Sequence, residues 1–256
     1  MNVTMQKDAG VATLTLDRPD KLNAMADPMW DALYGHVQAI AADEDVRAVI
    51  VTGAGRAFCS GGDVGGMAKS DIVSGRTRSQ RRHRTIQALY NLEKPVIAAV
   101  RGAVYGIGNA IALAADLVIA SDTTKFSMAF KKVGVVPDGG AIFFLTQYLG
   151  IAKAKELVYS ARPIGAAEAK DIGLVVRVVP DGELEAEARA LAAEMAQSAT
   201  YALALAKKMF QSMYVPTLEQ LMEMETLASG IVRLTDDHKE GVAAFKEKRA
   251  PRFTGR

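Results

Sequence analysis

Two segments of this chain join a short, continuous apolar run to a glycine-rich turn, and they constrain the fold more than any other feature. The first is RAVIVTGAG followed by AFCSGGDV, near residues 47–62. The second is KPVIAAVRGAVYGIGNAIALAAD, near residues 95–110. Short apolar runs that end in glycine are typical of strands buried on both faces of a sheet. We therefore predict an α/β fold in which these two units are related turns of one architecture.

The rest of the chain adds strands before residue 183 and helices after it. VATLTLDRP alternates as a half-buried strand does, and LVIAS and LVVRVVP are shorter strand candidates at 117–121 and 174–180. Helical spacing from Asp27 to Ala42 predicts a helix with Asp27 as its N-cap. An Arg-rich helix is predicted up to Glu93. We place a boundary near residue 195, with a β/α core at 1–195 and a helical region at 196–256.

Composition and patterning exclude several classes of protein. The net charge is +2 and half of the residues are hydrophobic, as in ordinary soluble domains. A single cysteine, Cys59, excludes an internal disulfide and fits a reducing compartment. The apolar stretches are too short to span a bilayer and the N-terminus lacks a signal-peptide pattern, so we expect a cytoplasmic protein without membrane contact. His36, His83 and His238 have no partners at ligand spacing, so we expect no metal.

The two glycine turns suggest where an anionic oxygen would bind. Gly61 and Gly62 permit close backbone approach in the first turn, and Gly106 and Gly108 precede an apolar helix in the second. A helix N-terminus presents free N–H groups and the positive end of a dipole. If the turns converge, one N–H from each would form an oxyanion hole. The alternative is that both are simply tight connections between strand and helix.

A third segment, KKVGVVPDGG at 131–140, contains the only acidic side chain between Asp122 and Glu156. This residue is Asp138. Because Pro-Asp-Gly suits a tight turn on backbone grounds alone, Asp138 is either a turn residue or a carboxylate that the chemistry needs.

Taken together, these motifs resemble those of the crotonase family, the enoyl-CoA hydratases and isomerases. LDRPDKLNAM, AFCSGGDV, KPVIAAVRGAVYGIGNAIALAADLVIAS, KFSMAFKKVGVVPDGG and the ending DDHKEGVAAFKEKRAPRFTG follow one another in the family's order. The resemblance implies a spiral of ββα units with a helical C-terminal trimerisation region. It also implies a homotrimer or a hexamer formed as a dimer of trimers. The implied substrate is an acyl-coenzyme A thioester, with no further cofactor.

The same resemblance assigns site residues. The oxyanion-hole N–H groups are expected from Gly62 and Ile107, and coenzyme A is expected to contact Ala24, Ser60, Gly62 and Asp63. Asp138 is expected to be the catalytic acid, as in the family's isomerases. AFKKVGVVPDGG and the ending KRAPRFTGR look especially like the isomerase branch that includes the ring-epoxide acyl-CoA isomerases of phenylacetate breakdown.

Two departures from the family pattern determine the predicted chemistry. Family hydratases use two glutamates, and their positions here hold Ala110 and Phe130, which cannot exchange a proton. We therefore predict an enoyl-CoA isomerase in which Asp138 alone moves the proton. Apolar residues around Asp138 are expected to line the acyl pocket: Phe126, Met128, Phe130 and Phe143.

Three other functions are weighed against the isomerase. A hydratase would use Asp138 with water, and a hydrolase or dehalogenase would use Asp138 as a nucleophile with His83 as its base. A non-catalytic member would bind RNA through the run RTRSQRRHR at 76–84. That run lacks interleaved aromatic residues, so we interpret it as a solvated helix face with His83 on its surface.

Overall fold

The computed structural model describes residues 2–65, 72–213 and 217–252. The strands are β1 (Asn2–Asp8), β2 (Val11–Asp17), β3 (Ala48–Gly53), β4 (Val96–Val100), β5 (Ala103–Tyr105), β6 (Leu117–Ser121), β7 (Lys125–Ser127), β8 (Ile164–Gly165) and β9 (Arg177–Val179). The helices are α1 (Asp27–Ala42), α2 (Ile72–Tyr90), α3 (Ile107–Leu113), α4 (Ala141–Ser160), α5 (Ala166–Asp171), α6 (Leu184–Gln197), α7 (Thr200–Gln211), α8 (Leu218–Val232) and α9 (Asp236–Glu247).

These elements form two sheets. The larger has the order β1-β2-β3-β4-β6-β9, in which β1 and β2 are antiparallel and all later pairs are parallel. The smaller has the order β5-β7-β8. Parallel neighbours need crossover connections, and helices α1, α2 and α3 lie in the first three, while α4 and α5 lie between β6 and β9. Every residue of β4 is buried, so the prediction of strands covered on both faces is confirmed.

The core lies on both faces of the larger sheet. One cluster includes the fully buried Trp30, Phe58 and Phe126. The other cluster packs Ile97 of β4 against helix α6, including its buried Leu184. The predicted boundary at residue 195 falls within the last turn of α6, and the division into two parts stays a prediction.

Some local predictions were wrong. Strand β1 was not predicted, although it pairs with β2 along its whole length. The N-cap of α1 is Ala26, so Asp27 is the first helical residue rather than the cap. The Arg-rich helix ends at Tyr90 instead of Glu93. His83 is only 6% exposed, because it lies on the face of α2 that packs against α8 rather than on the surface.

The described ranges contain no helix that is both long enough and apolar enough to cross a membrane.

Candidate active site

The loop between β2 and α1 is fixed by a buried asparagine. Asn23 is fully buried and has a left-handed backbone with φ of 56°. Its Nδ2 donates to the carbonyl oxygens of Ala54 and Ala57, at 2.9 and 2.7 Å. Its Oδ1 accepts from the backbone N–H of Arg18 at 2.8 Å. The sequence KLNAM is therefore held against the segment that leads into the first glycine turn.

The residues expected to contact coenzyme A lie together beside this loop. Arg18 Nη1 donates to the carbonyl oxygen of Ala24 at 3.1 Å and to Asp63 Oδ2 at 2.7 Å. Ser60 N donates to the carbonyl oxygen of Leu22 at 2.9 Å. Although partial burial opposes the effect, hydrogen bonds from Arg18 and a backbone N–H lower the pKa of Asp63. That these residues bind coenzyme A stays a prediction.

The two glycine turns run side by side. Cys59 N donates to the Ala103 carbonyl oxygen, and Tyr105 N donates to the Cys59 carbonyl oxygen, each at 2.9 Å. A Cβ added to Gly108 would stand 2.6 Å from the Cys59 carbonyl oxygen, so this approach requires glycine. The two glycine turns therefore converge, as an oxyanion hole formed by one N–H group from each would require.

The backbone N–H groups of Gly62 and Ile107, the expected oxyanion-hole donors, take no part in the hydrogen bonds that hold the two glycine turns together. Gly62 forms a parallel bridge with Met25, in which the bonds are made by the Gly61 carbonyl oxygen and by Asp63 N. The N–H of Gly62 therefore points away from Met25. Ile107 is the first residue of α3, where N–H groups have no intrahelical acceptor. Neither N–H has a hydrogen-bond acceptor in the described part of the chain.

The turn that contains Asp138 is wedged between two helices. Gly139 and Gly140 have positive φ angles of 68° and 78°, which favour glycine. A Cβ at Gly139 would be 2.3 Å from Ile107 Cδ1, and a Cβ at Gly140 would be 2.7 Å from Leu218 Cδ1. The two glycines therefore let the turn fit between α3 and α8, with Gly139, the residue after Asp138, packed against Ile107 of α3.

The two positions of the hydratase glutamates are filled with apolar atoms. Ala110 is fully buried, and its Cβ lies 3.2 Å from where a Cβ at Gly139 would be. Ala110 therefore lies directly against the turn that contains Asp138. Phe130 is also buried, and its ring edge lies about 4.0 Å from the position that a Cβ at Gly106 would occupy.

Asp138 has a charged partner that the sequence did not predict. Arg82 Nη1 donates to Asp138 Oδ2 at 2.8 Å, and both side chains are nearly buried, at 11% and 8% exposed. The Arg82 Nε donates to the Arg78 carbonyl oxygen at 3.2 Å, which holds the guanidinium in place. Asp138 Oδ1 accepts no hydrogen bond from the described residues. The sequence analysis expected apolar residues around Asp138 and did not anticipate the guanidinium that helix α2 brings to this carboxylate.

A second buried carboxyl group lies on the other side of the turn. Glu225 of α8 is 4% exposed, and its Oε2 accepts the Gly140 N–H at 2.9 Å. Burial raises the pKa of Glu225 to about 8, with a further contribution from the charge of Asp138. Glu225 is therefore mostly protonated at neutral pH.

His83 lies between α2 and α8 in the same cluster. Its Nδ1 is 3.2 Å from Thr226 Oγ1, and its Nε2 is 3.7 Å from Glu225 Oε2. Burial lowers the pKa of His83 to about 4, although the charge of Asp138 opposes this. Near pH 7 both His83 and Glu225 are neutral, so their contact is not an ion pair.

Arg82 and Glu225 were missed by residue-type reasoning, but helical spacing contains a signal for both. On α8 the buried Leu218, Met222, Glu225 and Ser229 recur at helical intervals, which places the acid on the inner face. On α2, Arg82 lies four residues before the buried Ile86, so helical spacing places Arg82 on the inner face of this helix as well.

The four expected acyl-pocket residues are all buried: Phe126, Met128, Phe130 and Phe143. Phe143 packs edge-on against Tyr90, with ring centroids 6.0 Å apart. None of the four lines the cavity of about 150 Å³ next to Gly62. That cavity is lined by Met25, Ala26, Asp27, Trp30, Gly62, Asp63, Arg78, Arg82 and Arg233.

The thiol of Cys59 does not provide an alternative nucleophile. Burial raises its pKa to about 12, so the reactive thiolate is scarce at neutral pH. Across the described ranges there is no group of three or more His, Cys, Asp or Glu side chains suited to a metal ion.

Known proteins match this chain over nearly its whole length. The sequence model of the enoyl-CoA hydratase/isomerase family matches residues 6–256. The chain belongs to this family. A probable enoyl-CoA hydratase of Rhodobacter capsulatus is 39% identical over 247 residues, which cover 96% of this chain and 95% of that protein. The 1,2-epoxyphenylacetyl-CoA isomerase of Escherichia coli K12 is 35% identical over 253 residues, covering 97% of each chain.

Solved structures of the family share the fold. An enoyl-CoA hydratase from Mycobacterium avium subsp. paratuberculosis K-10 superposes with a TM-score of 0.90 at 31% identity, covering 98% of both chains. The predicted crotonase-like α/β fold with a helical C-terminal region is confirmed. The chain is an enzyme of the enoyl-CoA hydratase/isomerase family, whose relatives carry both names.

Proposed function

We propose that this enzyme is an acyl-CoA double-bond isomerase with a single catalytic base. The thioester carbonyl oxygen binds between the N–H groups of Gly62 and Ile107. Asp138 removes a proton from the carbon between the thioester and the double bond of a 3-enoyl-CoA. The resulting dienolate carries its negative charge on the oxygen at the two N–H groups. The same carboxylic acid returns the proton to the far end of the conjugated system.

The observation that carries this proposal is the position of the Asp138 turn. It packs directly on Ile107, while Ala110 and Phe130 offer no proton-transfer group. The salt bridge with Arg82 involves the carboxylate form, which is the form that a base needs. The free Oδ1 is the atom to which we assign the transferred proton.

The typical rate contributions of a general base and of oxyanion donors indicate that this reaction needs both. A positioned general base contributes roughly 10²–10⁴-fold to the rate. Each oxyanion donor contributes about 10²–10³-fold. The oxyanion hole therefore cannot replace the base, and an isomerisation needs only one because the proton is moved rather than exchanged for water.

Hydration is the second candidate, and one observation favours it. Glu225 holds a proton near pH 7 on the other side of the turn from Asp138, so an acid and a base are both present. The relative from Rhodobacter capsulatus is also named a probable hydratase. The acid is not a residue at either hydratase position of the family pattern, so we rank isomerisation first.

A single spectrophotometric comparison separates the two reactions. Isomerising a 3-enoyl-CoA creates the absorbance of a conjugated thioester, whereas hydrating a 2-enoyl-CoA removes it. We expect wild-type enzyme to raise the absorbance with 3-enoyl-CoA much faster than it lowers the absorbance with 2-enoyl-CoA. The reverse ranking would assign the enzyme as a hydratase.

The remaining alternatives have less support in the structure. A nucleophilic Asp138 would leave an acyl- or aryl-enzyme that mass spectrometry detects, but the expected base, His83, is buried against Thr226. The arginines of 76–84 pair with carboxylates, which does not favour an RNA-binding stripe. These pairs are Arg76–Glu223, Arg78–Asp27, Arg81–Asp31, Arg82–Asp138 and Arg84–Asp31.

We also propose a cofactor requirement, an oligomeric state and a cellular compartment for this enzyme. Its substrate supplies the coenzyme A, and no other cofactor is needed. Exposed apolar side chains on α7 and α8, including Tyr201, Phe210 and Leu227, support a homotrimer or a hexamer. A sedimentation mass equal to one 27.3 kDa chain would contradict this. The single buried cysteine supports a reducing, cytoplasmic compartment.

A further inference from the structure

The turn that contains Asp138 is built from residues that cannot fix its conformation by themselves. Gly139 and Gly140 follow the proposed base directly, and both have positive φ angles, of 68° and 78°. Glycine populates many backbone conformations and has no side chain that could anchor it. The position of the Asp138 carboxylate therefore depends on contacts that other parts of the chain make with the turn.

Hydrogen bonds to α2 and α8 hold this turn from two sides. Arg82 Nη1 of α2 donates to Asp138 Oδ2 at 2.8 Å, and the Gly140 N–H donates to Glu225 Oε2 of α8 at 2.9 Å. Ala141 N donates to the Asp138 carbonyl oxygen at 3.3 Å, which ties the backbone of the base to the first residue of α4. Arg82 thus holds the carboxylate, whereas Glu225 holds the backbone that carries it.

The same turn lies against the proposed oxyanion hole. A Cβ added to Gly139 would stand 2.3 Å from Ile107 Cδ1, and Ile107 is one of the two expected N–H donors. Because the base must reach the carbon next to the bound thioester, its distance from Ile107 matters for the rate. A displacement of about 1 Å at a reacting group can cost on the order of 100-fold.

Glu225 is itself held between two helices. It is 4% exposed on the inner face of α8, and its Oε2 lies 3.7 Å from His83 Nε2 of α2. The next residue, Thr226, has its Oγ1 3.2 Å from His83 Nδ1, so side-chain contacts join α2 and α8 at this level. The acceptor of the Gly140 N–H therefore has little freedom to move.

The protonation of Glu225 suits a group that holds the turn beside a base. Burial raises the pKa of Glu225 to about 8, so the group is mostly neutral near pH 7. A second carboxylate at this place would favour the protonated form of Asp138, which is inactive as a base. A neutral Glu225 holds the Gly140 N–H without adding that negative charge.

We propose that Glu225 is a positioning residue, which accepts the Gly140 N–H and thereby fixes the turn that aims the Asp138 carboxylate at the substrate. The proposal rests on the proposed function for the role of Asp138. It makes α8 part of the support of the active site, although α8 lies far from the base along the chain. A purely structural role for Glu225 would affect the stability of the fold and leave turnover by the folded enzyme unchanged.

Steady-state isomerisation of a 3-enoyl-CoA by Glu225 variants tests the proposal. Glu225→Met removes the acceptor but keeps a side chain of similar length, and we expect kcat to fall about 10- to 100-fold with KM little changed. Glu225→Gln keeps an acceptor for the Gly140 N–H and should retain most of the wild-type kcat. Glu223→Met is the matched control, because Glu223 is exposed on the same helix and should leave both constants unchanged. Thermal melts identify the folded variants.

A double variant separates positioning of the base from other effects on the rate. Asp138→Asn has no base to position, so adding Glu225→Met should lower its residual rate no further. A further fall of about 10- to 100-fold in the double variant would show that Glu225 does not act through Asp138 and would overturn the proposal.

Two other outcomes would also overturn it. One is a wild-type kcat in folded Glu225→Met. The other applies if Glu225→Met does not fold: Glu225→Asp, which withdraws the carboxyl group by one methylene, should then show the loss of kcat, and a wild-type kcat would contradict the proposal. A full isomerase rate in Asp138→Asn would instead remove the proposed function, so the two failures are distinguishable.

Discussion

Asp138 and Glu225 are two buried carboxyl groups on opposite sides of the same glycine turn, and they have different partners. Asp138 is 6% exposed and forms a salt bridge with Arg82 of α2. Glu225 is 4% exposed and accepts a backbone N–H, with a neutral histidine as its neighbour on α2. Burial, with a further contribution from the charge of Asp138, raises the pKa of Glu225 to about 8.

Burial alone does not determine whether a carboxyl group acts as an acid or as a base. A nearby opposite charge favours the ionised form of a carboxyl group, whereas desolvation favours the neutral form. Pairs of carboxyl groups separated in this way often divide acid and base roles in active sites. Here the salt bridge with Arg82 supports the proposed role of Asp138 as the base, and the raised pKa of Glu225 supports a protonated group that holds the turn.

The largest effect is expected from Asp138→Asn. The amide still accepts a hydrogen bond from Arg82, so the fold is retained, but the base is lost. We expect the isomerisation rate to fall by about 10²–10⁴-fold, with affinity for acyl-CoA close to that of wild type. Steady-state kinetics and a thermal melt check this. A full isomerase rate in this variant would remove Asp138 from the mechanism.

A smaller but diagnostic effect is expected from Arg82→Met, which removes the charged partner of Asp138. The isomerisation rate should fall by about 10- to 100-fold, since the carboxylate loses the hydrogen bond that positions it. Arg84→Met, on the exposed face of the same helix, should leave the rate unchanged. An unchanged rate in Arg82→Met, with a normal fold, would show that Arg82 does not position the base.

The smallest effect on rate is expected from Glu225→Gln, because Gln mimics the protonated acid. Its main effect should be on stability. Folded Glu225 keeps its proton up to pH about 8, whereas the unfolded chain releases it above about 4.5. The folded state therefore binds more protons in that window, and stability falls as pH rises through it, by on the order of 1 kcal/mol per pH unit at most.

Denaturant titrations of wild type and Glu225→Gln between pH 5 and 8 measure this contribution. The variant should lack the part of the decline that Glu225 causes. Identical pH dependence in the two proteins would mean that Glu225 is not protonated in the folded state.

Much of the fold was predictable from the sequence because its signals are local. The buried strands and the glycine turns follow from apolar runs such as the one at Ala48–Gly53 and from backbone angles that favour glycine. The expected catalytic role of Asp138 followed from the resemblance to the family and stays a prediction, and the structure adds that its neighbour Gly139 packs against Ile107.

The partners of Asp138 were not predictable in the same way. Arg82 lies 56 residues before Asp138, and Glu225 lies 85 residues after Gly140. These contacts depend on how α2 and α8 pack around the turn, which residue types alone do not indicate. Reading both helices by their buried faces would have identified Arg82, His83 and Glu225 as inward-facing charged or polar residues.

The central claim is that one carboxylate moves the substrate's own proton, and isotope transfer tests it most directly. A 3-enoyl-CoA deuterated at the carbon next to the thioester is converted in ordinary water, and the product of the first turnover is analysed by mass spectrometry and NMR. A single base that is nearly buried predicts a product in which part of the deuterium has moved to the far carbon. A product whose new hydrogen comes entirely from solvent, or one that carries an added hydroxyl group, would contradict the claim.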